Sequence, residues 1–206
     1  MEQDIHSDGF NQMERMLLFA FLEESSGCEF KEQLPSLRSQ GIVYPLQDIL
    51  YCDSDGELQT DGNRSGHFQN GEQVFDPEVN EEIVRTIAAQ LAEIGDQLDK
   101  EIKAKVVNDL VQHFLNENLS REEITRCLSQ AVEVLARAIP SDLEREKAML
   151  VLAMVLTKKV ANKVPFLLQR VFSTTVNYIS QHFHGYVARM VSAVTQPCGS
   201  ESYSQT

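Results

Sequence analysis

The chain has 206 residues, 42% of them hydrophobic, with 18 Lys or Arg against 31 Asp or Glu and a net charge of -13. That length and apolar content suit one domain with a real core plus a non-globular segment, and the acidic balance excludes the gathered Lys and Arg that a nucleic-acid partner requires. Cys28, Cys52, Cys127 and Cys198 are far apart with no Cys-x-x-Cys pair, which reads as reduced thiols rather than a disulfide or zinc framework.

In chain order, Met1 to His6 has neither a basic nor an apolar leader pattern, so the expectation is a protein that starts in the cytosol. Phe10 to Leu22 is dense in Met, Leu, Phe and Ala and predicts a helix with a wide buried face, ended by Ser25-Ser26-Gly27. A short second helix is expected from Glu29 to Arg38. From Gly41 to Asp76 glycines recur, and from Asp53 onward there are almost no apolar residues and no periodicity, which marks a functional or disordered loop. Asp76-Pro77-Glu78 then supplies an N-cap, a first-turn proline and an acid, opening a helix to about Asp99. Helices are expected over Lys103 to Leu115 and from Ser120, where Ser120-Arg121-Glu122-Glu123 reads as a capping box, to Ala138. Ser141-Asp142-Leu143-Glu144 reads as a second box. The helix after it holds nine consecutive apolar residues, Ala148 to Leu156, and so has no polar face; it belongs at the centre of a bundle and is far short of the ~20 residues a bilayer span needs. Pro165 opens another helix, and Gly185 is expected to break it before a last short one. The expected class is all-α, about eight helices, organised as N-terminal helices at 1-40, a flexible loop at 41-78 and the remaining helices at 79-206.

Charge is unevenly spread. Residues 1 to 61 hold 3 basic and 13 acidic side chains, a balance of -10, and residues 62 to 206 hold 15 and 18, a balance of -3. From Lys147 onward there are 6 basic residues and one acid, a balance of +5.

Catalytic and metal patterns are decoys. His182 and His184 lie two apart and face different sides of a helix, so they cannot share a metal. Asp53-Ser54-Asp55-Gly56 lacks the closing glutamate of a calcium loop. No phosphate loop, dinucleotide fingerprint or nucleophile elbow occurs, and the reading is a protein without cofactor or metal and not an enzyme.

Two segments carry the functional signal. Ile83, Ile87, Leu91, Ile94 and Leu98 recur at spacings of 4, 4, 3 and 4, which at about 100° per residue gathers them within roughly 80° of one another. Any amphipathic helix shows such a ridge. Gly95, however, costs about 1 kcal/mol against alanine in mid-helix, which points to a surface approaching the backbone there, and Asp96 is placed to meet a cation across that contact. The second segment, Leu58-Gln59-Thr60-Asp61-Gly62, combines an Asp with a small following residue inside the polar loop, which suits an Asp-selective protease although Asp-Gly is also a plain turn.

Ile87-Ala88-Ala89-Gln90-Leu91-Ala92-Glu93-Ile94-Gly95-Asp96-Gln97-Leu98 resembles the third Bcl-2-homology motif. With Glu57 to Ser65 and the stretches Glu146 to Val160 and Phe172 to Ile179, most of the chain resembles a pro-apoptotic Bcl-2 family member that carries only that motif. The resemblance implies a Bcl-2-like bundle around the apolar helix, with Ile87, Leu91, Ile94 and Leu98 filling groove pockets of a partner, Gly95 allowing close packing and Asp96 meeting an arginine. Ile83 precedes them on the same ridge. The resemblance also implies cleavage by an initiator caspase between Asp61 and Gly62. Ser54, Thr60 and Ser65 flank that cut among acids, so phosphate added there is expected to slow it by charge and bulk. Lipidation of the new N-terminal Gly62 is implied too, although Gly66 departs from the Ser or Thr of the acylation consensus. The implied partners are Bax, Bak, anti-apoptotic Bcl-2 proteins and anionic mitochondrial lipid such as cardiolipin. The implied location is cytoplasmic when intact and the mitochondrial outer membrane after cleavage. Two alternatives remain at this point: a generic helical adaptor whose ridge never leaves the core, and a hydrolase using Cys127 or Cys52.

Overall fold

A helix made of Leu, Met and Phe on all sides cannot lie at a surface, and two such helices set the architecture. The computed structural model describes residues 12–39, 77–139 and 142–195. Among them are seven α-helices and no strand: α1 Gln12–Glu24, α2 Leu34–Ser39, α3 Pro77–Asp99, α4 Ala104–Leu115, α5 Arg121–Arg137, α6 Arg145–Lys163 and α7 Leu168–Thr195, with 3-10 turns at Lys31–Gln33 and Pro165–Leu167. The bundle is all-α, as the periodicities predict. Asp61, Gly62, Ser54, Thr60, Ser65 and Cys52 lie outside the described residues.

The apolar run in α6 is buried throughout from Leu150 to Leu156, and α1, α3, α4, α5 and α7 all pack on this helix. It is the centre of the bundle. Its one interior hydroxyl is satisfied, because Thr157 Oγ1 donates to the Ala153 carbonyl at 3.0 Å and meets Thr175 Oγ1 at 2.5 Å. The N-terminal end of α6 is tied to α7 by Tyr186, whose hydroxyl donates to Glu144 Oε2 at 3.1 Å. Burial and the neighbouring Glu144 push that phenol up to about 12, so it stays a donor.

α1 is the second helix buried nearly all round, with Met16 to Leu22 continuously covered, and α3 is its most extensive neighbour. It stops where expected. Ser25 Oγ donates to the Phe21 carbonyl at 2.7 Å, and Gly27 takes φ +68°, a left-handed turn that favours glycine.

The capping box on α5 forms as read: Glu123 N–H donates to Ser120 Oγ at 3.2 Å and Ser120 N–H to Glu123 Oε2 at 2.7 Å. Two expectations need correction. α6 begins at Arg145, with Glu144 as an N-cap that makes no side-chain bond, rather than at a box opened by Ser141, which lies outside the described residues. Gly185 does not break α7, which runs through it, so the described residues hold seven α-helices where about eight were expected. The reason is tertiary: Phe183, Tyr186 and Val187 flank the glycine and are buried, and their packing outweighs a propensity cost of about 1 kcal/mol. Among the described residues no helix is long and apolar enough to cross a membrane.

Candidate partner-binding site

The 4, 4, 3, 4 spacing places the ridge on one side of α3, and that side faces inward. Ile83, Ile87, Leu91 and Leu98 are buried, Leu91 to 2% exposure, and Ile94 is half-buried. Val84, Ala88 and Ala92 widen the buried face. Every groove-directed apolar residue read from the sequence is thus on one surface, and that surface packs against α1 and α6 of the same chain.

At Gly95 the neighbouring helices leave no space for a Cβ. A Cβ built on it would stand 2.8 Å from Phe21 Cζ and 3.1 Å from Val155 Cγ2, closer than side chains tolerate without moving. The surface that the glycine signalled is real. It belongs to α1, whose Phe21 brings its ring atoms Cζ and Cε2 up to Gly95, and to the central helix.

Asp96 also has its cation, although at the edge of a larger polar junction. Its Oδ1 accepts from the Ser26 N–H at 3.2 Å and its Oδ2 from Ser26 Oγ at 2.8 Å, while Lys158 Nζ stands 3.8 Å from Oδ1. Lys158 is only 2% exposed, and an ammonium that deep needs anions and acceptors around it. It donates to the Ser26 carbonyl at 3.0 Å and pairs with Asp99 Oδ2 at 2.8 Å; Lys159 pairs with the other Asp99 oxygen. Burial would lift the Asp99 carboxyl, but the hydrogen bonds from Lys158 and Lys159 prevail and hold it below the usual aspartate range. Asn162 completes the seam by accepting from the Glu29 N–H at 2.9 Å and donating to the Gly27 carbonyl at 2.8 Å.

The turn after α1 is therefore fastened to α3 through Asp96 and to α6 through Lys158 and Asn162. Elsewhere, His184 of α7 meets the fully buried Glu14 of α1 at 2.5 Å, and Arg38 of α2 lies 4.6 Å over the Phe19 ring and 4.0 Å from Glu81 of α3. Glu14–His184 also accounts for one histidine of the pair at 182 and 184, and His182 packs on Tyr178 at a centroid distance of 4.8 Å. Among the described residues no group of three His, Cys, Asp or Glu is placed to hold a metal.

Sequence reading missed Ser26, Asp99, Lys158 and Asn162. A signal was present for one of them: Lys158 stands two residues after the apolar run, on a helix buried all round, so its ammonium had to find acids within the protein. Asp99, one turn beyond Asp96 on α3, is the natural candidate.

The chain matches the family model described as BH3 interacting domain (BID) over residues 5–193. It is similar to the BH3-interacting domain death agonist of Gallus gallus, 83% identical over 191 residues that cover 93% of this chain and 99% of the relative. It is also similar to the protein of the same name from Mus musculus, 41% identical over 184 residues, or 89% of this chain and 92% of that one. Those names describe a death agonist and no enzyme.

Proposed function

The chain belongs to the BH3-interacting domain (BID) family, and from that membership we propose that it is a pro-apoptotic switch whose α3 inserts into the groove of Bcl-2 family proteins. The observation that carries the proposal is the double use of one face: Ile83, Ile87, Leu91 and Leu98 together with Gly95 are shaped for close helix packing, and α1 already occupies them. One face cannot fill two grooves. Activation then means removing α1.

The route proposed is cleavage by an initiator caspase after Asp61, in the segment joining α2 to α3, which leaves the ridge residues intact and turns a tethered cover into a separable one. The tether had kept α1 at high effective concentration; after the cut, dissociation is possible but not forced. Electrostatics gives it direction. Loss of a piece with balance -10 leaves a fragment near -3 whose residues from Lys147 carry +5, and each Lys or Arg near an anionic leaflet contributes about 1 kcal/mol. The fragment then moves from cytoplasm to the mitochondrial outer membrane, where cardiolipin-rich lipid, Bax, Bak and anti-apoptotic Bcl-2 proteins are its partners and cytochrome c release is the outcome. Gly62 is the candidate for lipidation.

Cytochrome c release from isolated mitochondria by intact and by cleaved protein tests the switch: release by the cleaved form alone is expected, and equal release by both overturns it. A peptide of residues 76 to 100 separates this reading from a plain helical adaptor, since only the former predicts binding to a Bcl-2-type groove.

A further inference from the structure

Ser25 and Ser26 are adjacent and chemically alike, but the turn after α1 gives them opposite surroundings. Ser25 is fully buried, and its hydroxyl is committed to the Phe21 carbonyl at 2.7 Å. Ser26 is exposed, on the outside of the turn made by Gly27 at φ +68°. Glu23, Glu24 and Glu29 stand three and two residues before it and three after it, all exposed, so the one accessible hydroxyl lies within an acidic stretch.

The same residue closes the junction over the ridge. Both Ser26 donors end on Asp96, N–H to Oδ1 at 3.2 Å and Oγ to Oδ2 at 2.8 Å, and its carbonyl receives Lys158 at 3.0 Å. We propose that Ser26 is a phosphorylation site for an acid-directed Ser/Thr kinase, and that its phosphate loosens α1 from α3 without any cut.

In the modification Ser26 Oγ attacks the γ-phosphorus of ATP, the bond from that phosphorus to the bridging oxygen of ADP breaks, and the hydroxyl proton passes to the base of the kinase. The phosphorylated oxygen can no longer donate to Asp96. In its place stands a group of about -1.5 to -2 charge, where the unmodified hydroxyl lay 2.8 Å from a carboxylate oxygen. Before modification the local charges balance, Lys158 and Lys159 against Asp96 and Asp99. Both ammonium groups are already paired, so the added charge falls on an occupied set of cations. Repulsion acts at the C-terminal end of α1, near Phe21 and Gly95, where α1 leaves no space for a Cβ on α3. This second route rests on the reading of α1 as a removable cover over a partner-binding ridge.

The test uses the intact full chain treated with ATP and an acid-directed Ser/Thr kinase, beside a Ser26→Ala chain treated identically, which carries any phosphate added elsewhere. Peptide mass mapping is expected to place phosphate on Ser26 and none on Ser25. Amide hydrogen exchange over Ile87 to Gly95 is expected to run roughly tenfold faster in the treated than in the untreated wild type, the scale of one charge-assisted hydrogen bond lost, while treatment leaves the Ser26→Ala chain at its own untreated rate. Exchange in α5 should be the same before and after treatment. An Asp96→Asn chain should show a smaller acceleration on treatment, because the repelling carboxylate is gone. No phosphate on Ser26, unchanged α3 exchange, or an equal rise in α5 that signals general unfolding would each overturn the proposal. None of these readouts involves a groove, so failure of the 76 to 100 peptide to bind would sink the functional reading and leave this result standing.

Discussion

Two long helices each carry a glycine away from their ends, and the space around it differs. Gly95 of α3 is pressed between Phe21 of α1 and Val155 of α6, with no room for even a methyl group. Gly185 of α7 has nothing within 4 Å of where its Cβ would be. Around Gly95, Ala88 and Ala92 are also buried, so small side chains let a second helix come close. Around Gly185, buried Phe183, Tyr186 and Val187 hold the helix through larger side chains on its other face. A helical glycine marks a contact only when something fills its space. On α3 the filling element is α1, the element that a partner's groove would replace in the proposed function.

The strongest way to break that comparison is to remove the apolar centre of the α3 contact. Leu91→Ala is expected to cost roughly 2–5 kcal/mol of stability in the intact chain, as buried Leu truncations do, and about 2 kcal/mol or more in groove affinity of the 76 to 100 peptide. Urea midpoints and a peptide titration read the two separately. A large loss in one and none in the other would show that the cover and the partner do not use the same face.

Next is the polar junction. Lys158→Ala leaves Asp96 and Asp99 without their buried cation and the Ser26 carbonyl without its donor. The expected cost is about 2 kcal/mol, below that of a fully enclosed pair because both carboxylates reach solvent. Exchange should quicken at the α1–α3 contact before it does in α5. Uniform loosening would make Lys158 a general core residue instead.

The glycines themselves give a sign test. Gly95→Ala is expected to destabilise the intact chain by about 1 kcal/mol, the strain of displacing Phe21 exceeding the gain in helix propensity, whereas Gly185→Ala should stabilise by up to about 1 kcal/mol because only the propensity gain remains. Thermal denaturation of both variants measures the difference, and equal signs would refute the account of their surroundings.

Much of this was legible beforehand because it is local. The α3 ridge follows from the period of Ile83, Ile87, Leu91, Ile94 and Leu98; the cap of α5 from Ser120 and Glu123; the centre of the bundle from Ala148 to Leu156. The buried character of α1 was legible as well, since the apolar density from Phe10 to Leu22 predicts a wide buried face. Less legible was everything that depends on which helices meet. Ser26, Asp96 and Lys158 come from three separate elements, and no periodicity links them. Gly185 misled for the converse reason: propensity argued for a break, and packing by distant residues overruled it.

The smallest expected effect concerns pH and falls on the same junction. Asp99 is held below the ordinary aspartate range because, although burial raises it, its bonds to Lys158 and Lys159 lower it further. A carboxylate depressed in the folded state adds stability that is complete above its unfolded value, about 3.9, and is lost as pH falls through the folded value. Between pH 8 and 5, as order-of-magnitude bounds around neutrality, this group is ionised in both states and contributes no slope. The α1–α3 fastening should therefore be insensitive to mild acidification on account of Asp99, and should begin to weaken only below about pH 4. Asp99→Asn removes the titrating group, so the difference in urea midpoint between it and wild type should be constant from neutral to mildly acidic pH and shrink in stronger acid. A difference that narrows already at roughly pH 6 would show that Asp99 is not held below the ordinary aspartate range and would overturn this account.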